Sequence, residues 1–300
     1  MRILAIDGGG IRGIIPAMVL AEIERRTGRR TTELFDLVAG TSTGGILACA
    51  LAVPSPRFSA AELVELYTRE GPGIFRRSLG KRISSVEGLL EEKYDAEPLR
   101  AALGRYLGPA RLRDATTPLL ITAYELERRT PFFFRSQRAL VDPDYDFPMV
   151  DVAHATSAAP TYWEPVRLGP YALVDGGVYA GNPAMCGWAE AKDPEAVVIS
   201  LGCGLQSRPI HYRDAKGWGL VEWARPIIDV VLDGSSHVVE YQLEQVAGAA
   251  RYVRLQITLE MASDELDDAS EENLVRLQRE GERLLVERAA DVDKAVALLT

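Results

Sequence analysis

Gly40-Thr41-Ser42-Thr43-Gly44 places a serine between two glycines, each two residues away. A serine in G-x-S-x-G spacing can act as a nucleophile where the chain turns sharply from a strand into a helix. The turn exposes the hydroxyl, and the glycines remove side chains that would collide there. Phe35-Asp36-Leu37-Val38-Ala39 reads as a short strand before it, and residues near 43–52 read as a helix after it. The start of that helix offers unpaired N–H groups and about half a positive charge, which favours a developing alkoxide and oxyanion. The same pattern also fits a helix N-cap serine in a glycine-rich turn.

Acyl transfer needs donors aimed at a tetrahedral oxyanion, each worth about 3 kcal/mol when removed. Gly8-Gly9-Gly10-Ile11-Arg12-Gly13 can supply them, because consecutive glycines let backbone amides crowd a ligand atom. This loop follows the apolar residues 2–6 as the serine turn follows its own strand. Two parallel strands would set both turns at their C-terminal edge, where open α/β sheets bind ligands. The loop also spells G-x-G-x-x-G, the dinucleotide fingerprint. Against a nucleotide, Asp7 stands where its charge would repel a pyrophosphate, and the second strand ends in Ala39-Gly40 with no ribose-binding acid. An actin-like or hexokinase-like turn would lead into a hairpin, whereas Ile15, Val19 and Ile23 mark a helix here.

A serine hydroxyl needs a positioned base. His154, His211 and His237 are the three histidines, and Ser42, Asp175 and His211 or His237 would satisfy the order Ser…Asp…His. The fold that uses that order places several strands before its nucleophile, and only one precedes the second strand here. Asp175 offers another solution: it ends the strand-like Tyr171-Ala172-Leu173-Val174 and precedes Gly176-Gly177. A partly desolvated Asp beside a serine gains basicity through burial. Equally, an Asp can cap its own Gly-Gly turn.

Four ordered blocks, Gly8–Gly13, Gly40–Gly44, Ala155-Thr156-Ser157-Ala158-Ala159-Pro160 and Asp175-Gly176-Gly177, resemble those of the patatin-like phospholipases, over residues 2 to about 183. The resemblance implies a Ser42–Asp175 dyad without histidine. It also implies an oxyanion hole from Gly8, Gly9, Gly10 and Arg12, with Gly40, Gly44, Gly176 and Gly177 as supports. Gly181-Asn182-Pro183 stands where family members often read Asn-Asn-Pro. The implied activity is lipid acyl-ester hydrolysis, as a phospholipase A, lysophospholipase or esterase, with no metal or cofactor. The expected partner is a lipid or acyl ester, with peripheral membrane contact. Two alternatives stand beside it: a phospholipase effector silent until a nucleotide or protein activator binds, and a catalytically idle binding module.

The positioning elements read as an α/β fold: a mostly parallel central sheet flanked by helices, three layers in all, with additional helices. Strands are predicted at 2–6, 35–39, 119–123, 131–134, 172–174, 197–201 and 252–259. Helices are predicted to about Gly28 and at 43–52, 59–70, 86–107, 219–247 and 270–299. Pro54-Ser55-Pro56 and Gly71-Pro72-Gly73 read as loop punctuation. We expect one domain over 1–300, with the motifs in 2–205 and a helical portion over 206–300. Thr161-Tyr162-Trp163 and Phe132-Phe133-Phe134 read as acyl-pocket lining or as core. Arg76, Arg77, Lys81 and Arg82 read as a solvated basic loop or a phosphate dock. A net charge of -9 argues against nucleic acid and against electrostatic capture by anionic membranes. Lipid would then be met through apolar surface. Cys49, Cys186 and Cys203 are too few and too scattered for a disulfide framework. With no signal-like or membrane-spanning run, the expected location is cytoplasmic.

Overall fold

The computed structural model describes residues 1–76, 94–206, 209–223 and 226–300. The predicted basic residues Arg77, Lys81 and Arg82, and the first part of the helix expected at 86–107, lie outside the described residues.

Eight strands form one sheet: β1 (Arg2–Ile6), β2 (Leu37–Gly40), β3 (Leu119–Glu125), β4 (Thr130–Arg135), β5 (Val166–Leu168), β6 (Tyr171–Asp175), β7 (Val197–Leu201) and β8 (Tyr252–Leu255). Their order is β5-β6-β3-β2-β1-β7-β8, with β4 hairpinned onto β3. The run β3-β2-β1-β7-β8 is parallel, while β4 and β6 run antiparallel to β3. The period-two alternation of strands explains how β1 serves both faces. Ile3 and Ala5 face Ala184 and Leu243, whereas Leu4 and Ile6 join the larger cluster with Ile14, Leu20 and Leu47. Helices α1 (Ile14–Thr27), α2 (Thr43–Ala52), α3 (Ala60–Ile74), α4 (Ala96–Leu107) and α5 (Met149–Thr156) precede α6 (Ala184–Ala191), α7 (Pro226–Val246), α8 (Glu271–Glu287) and α9 (Ala289–Leu299). Among these, α6 and α7 supply the helical layer against Ile3 and Ala5.

Several expectations need correction. Gly71-Pro72-Gly73 lies in the last turn of α3, not in a loop. Ile11 Cδ1 sits where a Gly71 Cβ would project, at 2.6 Å, so packing overrides the glycine's low helix propensity. The pattern at 270–299 is broken at Arg288, whose guanidinium turns onto the carbonyls of Arg254 and Gln256. β8 ends at Leu255 rather than 259, because the Gln256 side chain takes over as acceptor for the Gly204 and Ile257 amides. The C-terminal portion also adds a strand and closes the site: the Leu266 carbonyl accepts the Ile11 amide at 2.9 Å.

Candidate active site

The serine turn is strained. Ser42 has φ 55° and ψ −121°, a positive φ that costs a non-glycine residue about 1–3 kcal/mol and persists only where its surroundings enforce it. Four hydrogen bonds and one close approach surround it. The Ser42 amide donates to Thr156 Oγ1 at 2.9 Å, and Thr156 Oγ1 donates to the Thr122 carbonyl at 2.6 Å. Thr41 Oγ1 bonds both Thr122 Oγ1 and the Ala180 carbonyl, each at 2.7 Å. Gly44 lets α2 start directly against β1, since a Cβ there would lie 2.1 Å from the Ile6 carbonyl oxygen. Ser42 occupies the N-cap position of α2 yet makes no side-chain capping bond. Its hydroxyl is free for other work.

Asp175 ends the strand that faces this turn. β2 ends at Gly40, opposite Ile121 of β3, and β6 ends at Asp175, opposite Ala123. Because β6 runs antiparallel to β3, the two strand ends meet head-on across Thr122. Gly176 completes the meeting, since a Cβ there would fall 2.1 Å from Thr122 Oγ1. Asp175 Oδ1 accepts the Gly177 amide at 2.7 Å, so the carboxylate caps its own turn. Both residues are buried, and burial pushes the Asp175 carboxyl up to about 6, against the opposing pull of the nearby Ser42 hydroxyl and the Gly177 amide.

The glycine loop lies beside Ser42, where a Gly8 Cβ would meet Ser42 Cβ at 3.3 Å, and lines a cavity of about 260 Å³ that also holds Ser42 and Asp175. The Gly8 amide, expected among the oxyanion donors, is already committed to the Gly181 carbonyl at 2.9 Å. The Ile11 and Arg12 amides are bound as well, which leaves Gly9 and Gly10 as the candidate donors. Arg12 lines the cavity beside them. Its Nε donates to the Gly9 carbonyl and its Nη1 to the Gly204 carbonyl, which braces the loop against the turn after β7.

The remaining lining is largely apolar, including Tyr162, Trp163, Leu205 and Val178. Ile227 and Val231 of α7 line the cavity and are also nearly half exposed, which puts them at its mouth. A smaller cavity of about 60 Å³ adjoins Ser42, walled by Ile46, Leu66, Ile74 and Leu103 among others. Phe132 and Phe134 instead join Tyr145, Phe147 and Tyr171 in a core aromatic cluster. None of the three histidines lines either cavity. His154 is buried beside Arg100, and burial with that cation lowers it to about 4. Cys203 does line the cavity, but burial pushes its thiol up to about 12, too high for a neutral-pH nucleophile. Sequence reasoning missed Thr122, Thr156 as a support, and Arg254, which grips Asp7 at the head of the glycine loop. Only Thr156 carried a signal, as part of a motif block.

Among the described residues no helix is long and apolar enough to cross a membrane. The chain is similar to VipD from Legionella pneumophila in fold, with a TM-score of 0.53 over 98% of this chain and 67% of that one, at 12% identity. Patatin-like protein 4 of Arabidopsis thaliana is 31% identical, covering 95% of this chain and 83% of its own. Patatin-like protein 2 of Oryza sativa subsp. indica is 32% identical, covering 98% and 85%. A profile of the Patatin-like phospholipase family matches residues 4–186. With that match over more than half its length, the chain belongs to the patatin-like phospholipase family, a membership that supports lipid hydrolase activity.

Proposed function

We propose that the protein is a serine lipid acyl hydrolase, acting on phospholipid, lysophospholipid or simple acyl esters through a Ser42–Asp175 dyad. The observation that carries this reading is the meeting of Ser42, on its strained turn, and the buried Asp175 carboxyl in one largely apolar cavity that Gly9 and Gly10 also line. Asp175 takes the Ser42 proton as Oγ attacks the ester carbonyl. The Gly9 and Gly10 amides, with the α2 N-terminus behind the serine, receive the developing oxyanion. Asp175 then returns the proton to the leaving alcohol. Water enters, loses a proton to the same carboxylate and attacks the acyl carbonyl; the bond to Oγ breaks, the acyl group leaves as a carboxylic acid, and Asp175 returns the proton to Ser42. Burial suits Asp175 to both steps, since a base poised near the working pH accepts and returns a proton with little penalty. The small apolar cavity beside Ser42 fits the first carbons of an acyl chain, and the apolar mouth fits a lipid surface rather than a charged partner.

Labelling with an alkyl fluorophosphonate, followed by peptide mass mapping, tests the nucleophile. Adduct at Ser42 is expected, and adduct elsewhere overturns it. His154→Ala, His211→Ala and His237→Ala should each keep turnover of p-nitrophenyl butyrate. A folded but inactive His211 or His237 variant would restore the histidine triad. Running the same assay on phospholipid with and without cyclic dinucleotides tests the gated alternative.

A further inference from the structure

Asp7 poses a problem for an anion-binding loop. It closes β1, opens the glycine run and lines the same cavity as Ser42, and a bare carboxylate there would oppose a developing oxyanion. Both of its oxygens are held. Arg254 Nη2 lies 2.6 Å from Oδ2 and Nη1 lies 3.0 Å from Oδ1, with the two side chains only 5% and 6% exposed. The guanidinium arrives from two strands away. Arg254 of β8 pairs in register with Ser200 of β7, and Ser200 pairs with Ala5 of β1. Period-two alternation therefore brings Arg254, Ser200 and Asp7 to one face of the sheet. Nη1 also donates to Ser200 Oγ at 2.8 Å, and Nη2 reaches Ser236 Oγ of α7 at 3.4 Å.

Arg254 does not line the cavity. A buried ion pair gains little stability over a well-packed apolar pair, so stability alone is a weak reason for this arrangement. The Asp7 backbone is fixed too: its amide donates to the Leu201 carbonyl at 3.0 Å, and its carbonyl accepts the Cys203 thiol at 3.4 Å. Held at side chain and backbone, Asp7 sets where the next peptides point.

We infer that Arg254 is a positioning residue for ester hydrolysis: it neutralises Asp7 and anchors the first residue of the glycine loop, so that the Gly9 and Gly10 amides meet the oxyanion without an opposing charge. The inference rests on the reading of that loop as the oxyanion hole. It predicts an asymmetry that a structural brace would not produce. Removing either partner breaks the same ion pair, but only loss of Arg254 leaves Asp7 with no cation beside it; burial already pushes that carboxyl up, so the opposing charge is carried only above its raised value and the loss of kcat grows with pH.

The test is steady-state hydrolysis of p-nitrophenyl butyrate by folded variants, with folding checked by circular dichroism and gel filtration. Arg254→Gln should lower kcat by roughly 10- to 100-fold with KM changed less than about threefold. Asp7→Asn should lower kcat by less than about fivefold, and the double variant should recover about tenfold over Arg254→Gln alone. Should Arg254→Gln not fold, Arg254→Lys, which keeps the charge without the fork, should stay within about tenfold of the parent. Equal kcat losses for the two single variants without recovery in the double, an indifferent Arg254→Gln, or an inactive folded Arg254→Lys overturns the inference. A parent without Ser42-dependent turnover overturns the hydrolase reading and this inference together. An active parent indifferent to Arg254 overturns this one alone.

Discussion

Replacing Asp175 by Asn should abolish turnover and at the same time make the protein more stable, and the size of that gain follows from the site. The native carboxyl sits at about 6 against an ordinary 3.8, chiefly because burial disfavours the charge. At about 1.4 kcal/mol for each pH unit between those values, the ionised form costs the fold about 3 kcal/mol. Asn keeps the shape and can still accept the Gly177 amide, yet it carries no charge. A gain of about 1–3 kcal/mol at pH 8 is therefore expected, the upper figure applying if nothing else relaxes. The sign fixes the pH dependence. Between pH 4 and 6 the native site holds its proton more tightly than the unfolded chain does. The parent therefore gains stability as acid protonates Asp175, while the Asn variant does not. The advantage of Asn should be full above pH 6, shrink below it and vanish near pH 4. Urea unfolding followed by tryptophan fluorescence at pH 8, 6 and 4.5 measures it, with Ser42→Ala as an inactive control that keeps the carboxylate. An Asn variant less stable than the parent at pH 8, or a difference constant with pH, would refute a desolvated Asp175.

The same carboxyl predicts the activity profile. kcat/KM on p-nitrophenyl butyrate should rise through a single ionisation near pH 6 and then level off, since only ionised Asp175 can take the Ser42 proton; a midpoint at 4 or below contradicts this. Gly44→Ala would press a methyl group to 2.1 Å from the Ile6 carbonyl oxygen. That should destabilise the fold by about 3 kcal/mol or more, visible as a lowered urea midpoint, and an unchanged midpoint would mean that α2 can move off β1.

The parts of the fold legible in the sequence were those with local causes. β1 and β2 are short apolar runs that stop at glycine, and the Ile15, Val19, Ile23 spacing gave α1 its buried face. The Ser42 turn was legible for the same reason, as a glycine-flanked step from strand to helix. The direction of β6 was not legible. A strand ending in Asp-Gly-Gly reads alike whether it pairs parallel or antiparallel, because direction is decided by the neighbour it meets. Arg254 was hidden for a related reason: its role needs Ser200 and Asp7 beside it, and no spacing along the chain encodes that. The Gly8 amide was misassigned because its acceptor, Gly181, lies far along the sequence. β5, three residues long, is too short to show a period.

The head-on meeting of β2 and β6 makes β3 the ruler against which the reacting groups are set. Sliding β6 along it by one residue would turn the Asp175 side chain to the far side of the sheet, and sliding it by two would carry the carboxylate about 7 Å away. The pairings of Gly40 with Ile121 and of Asp175 with Ala123 refer both groups to β3, and Thr156 of α5 adds a further hold on the Ser42 amide. Substitutions that loosen the pairing of Ala123 with Asp175 should therefore act as misalignments, stopping chemistry while the cavity and its affinity for lipid survive.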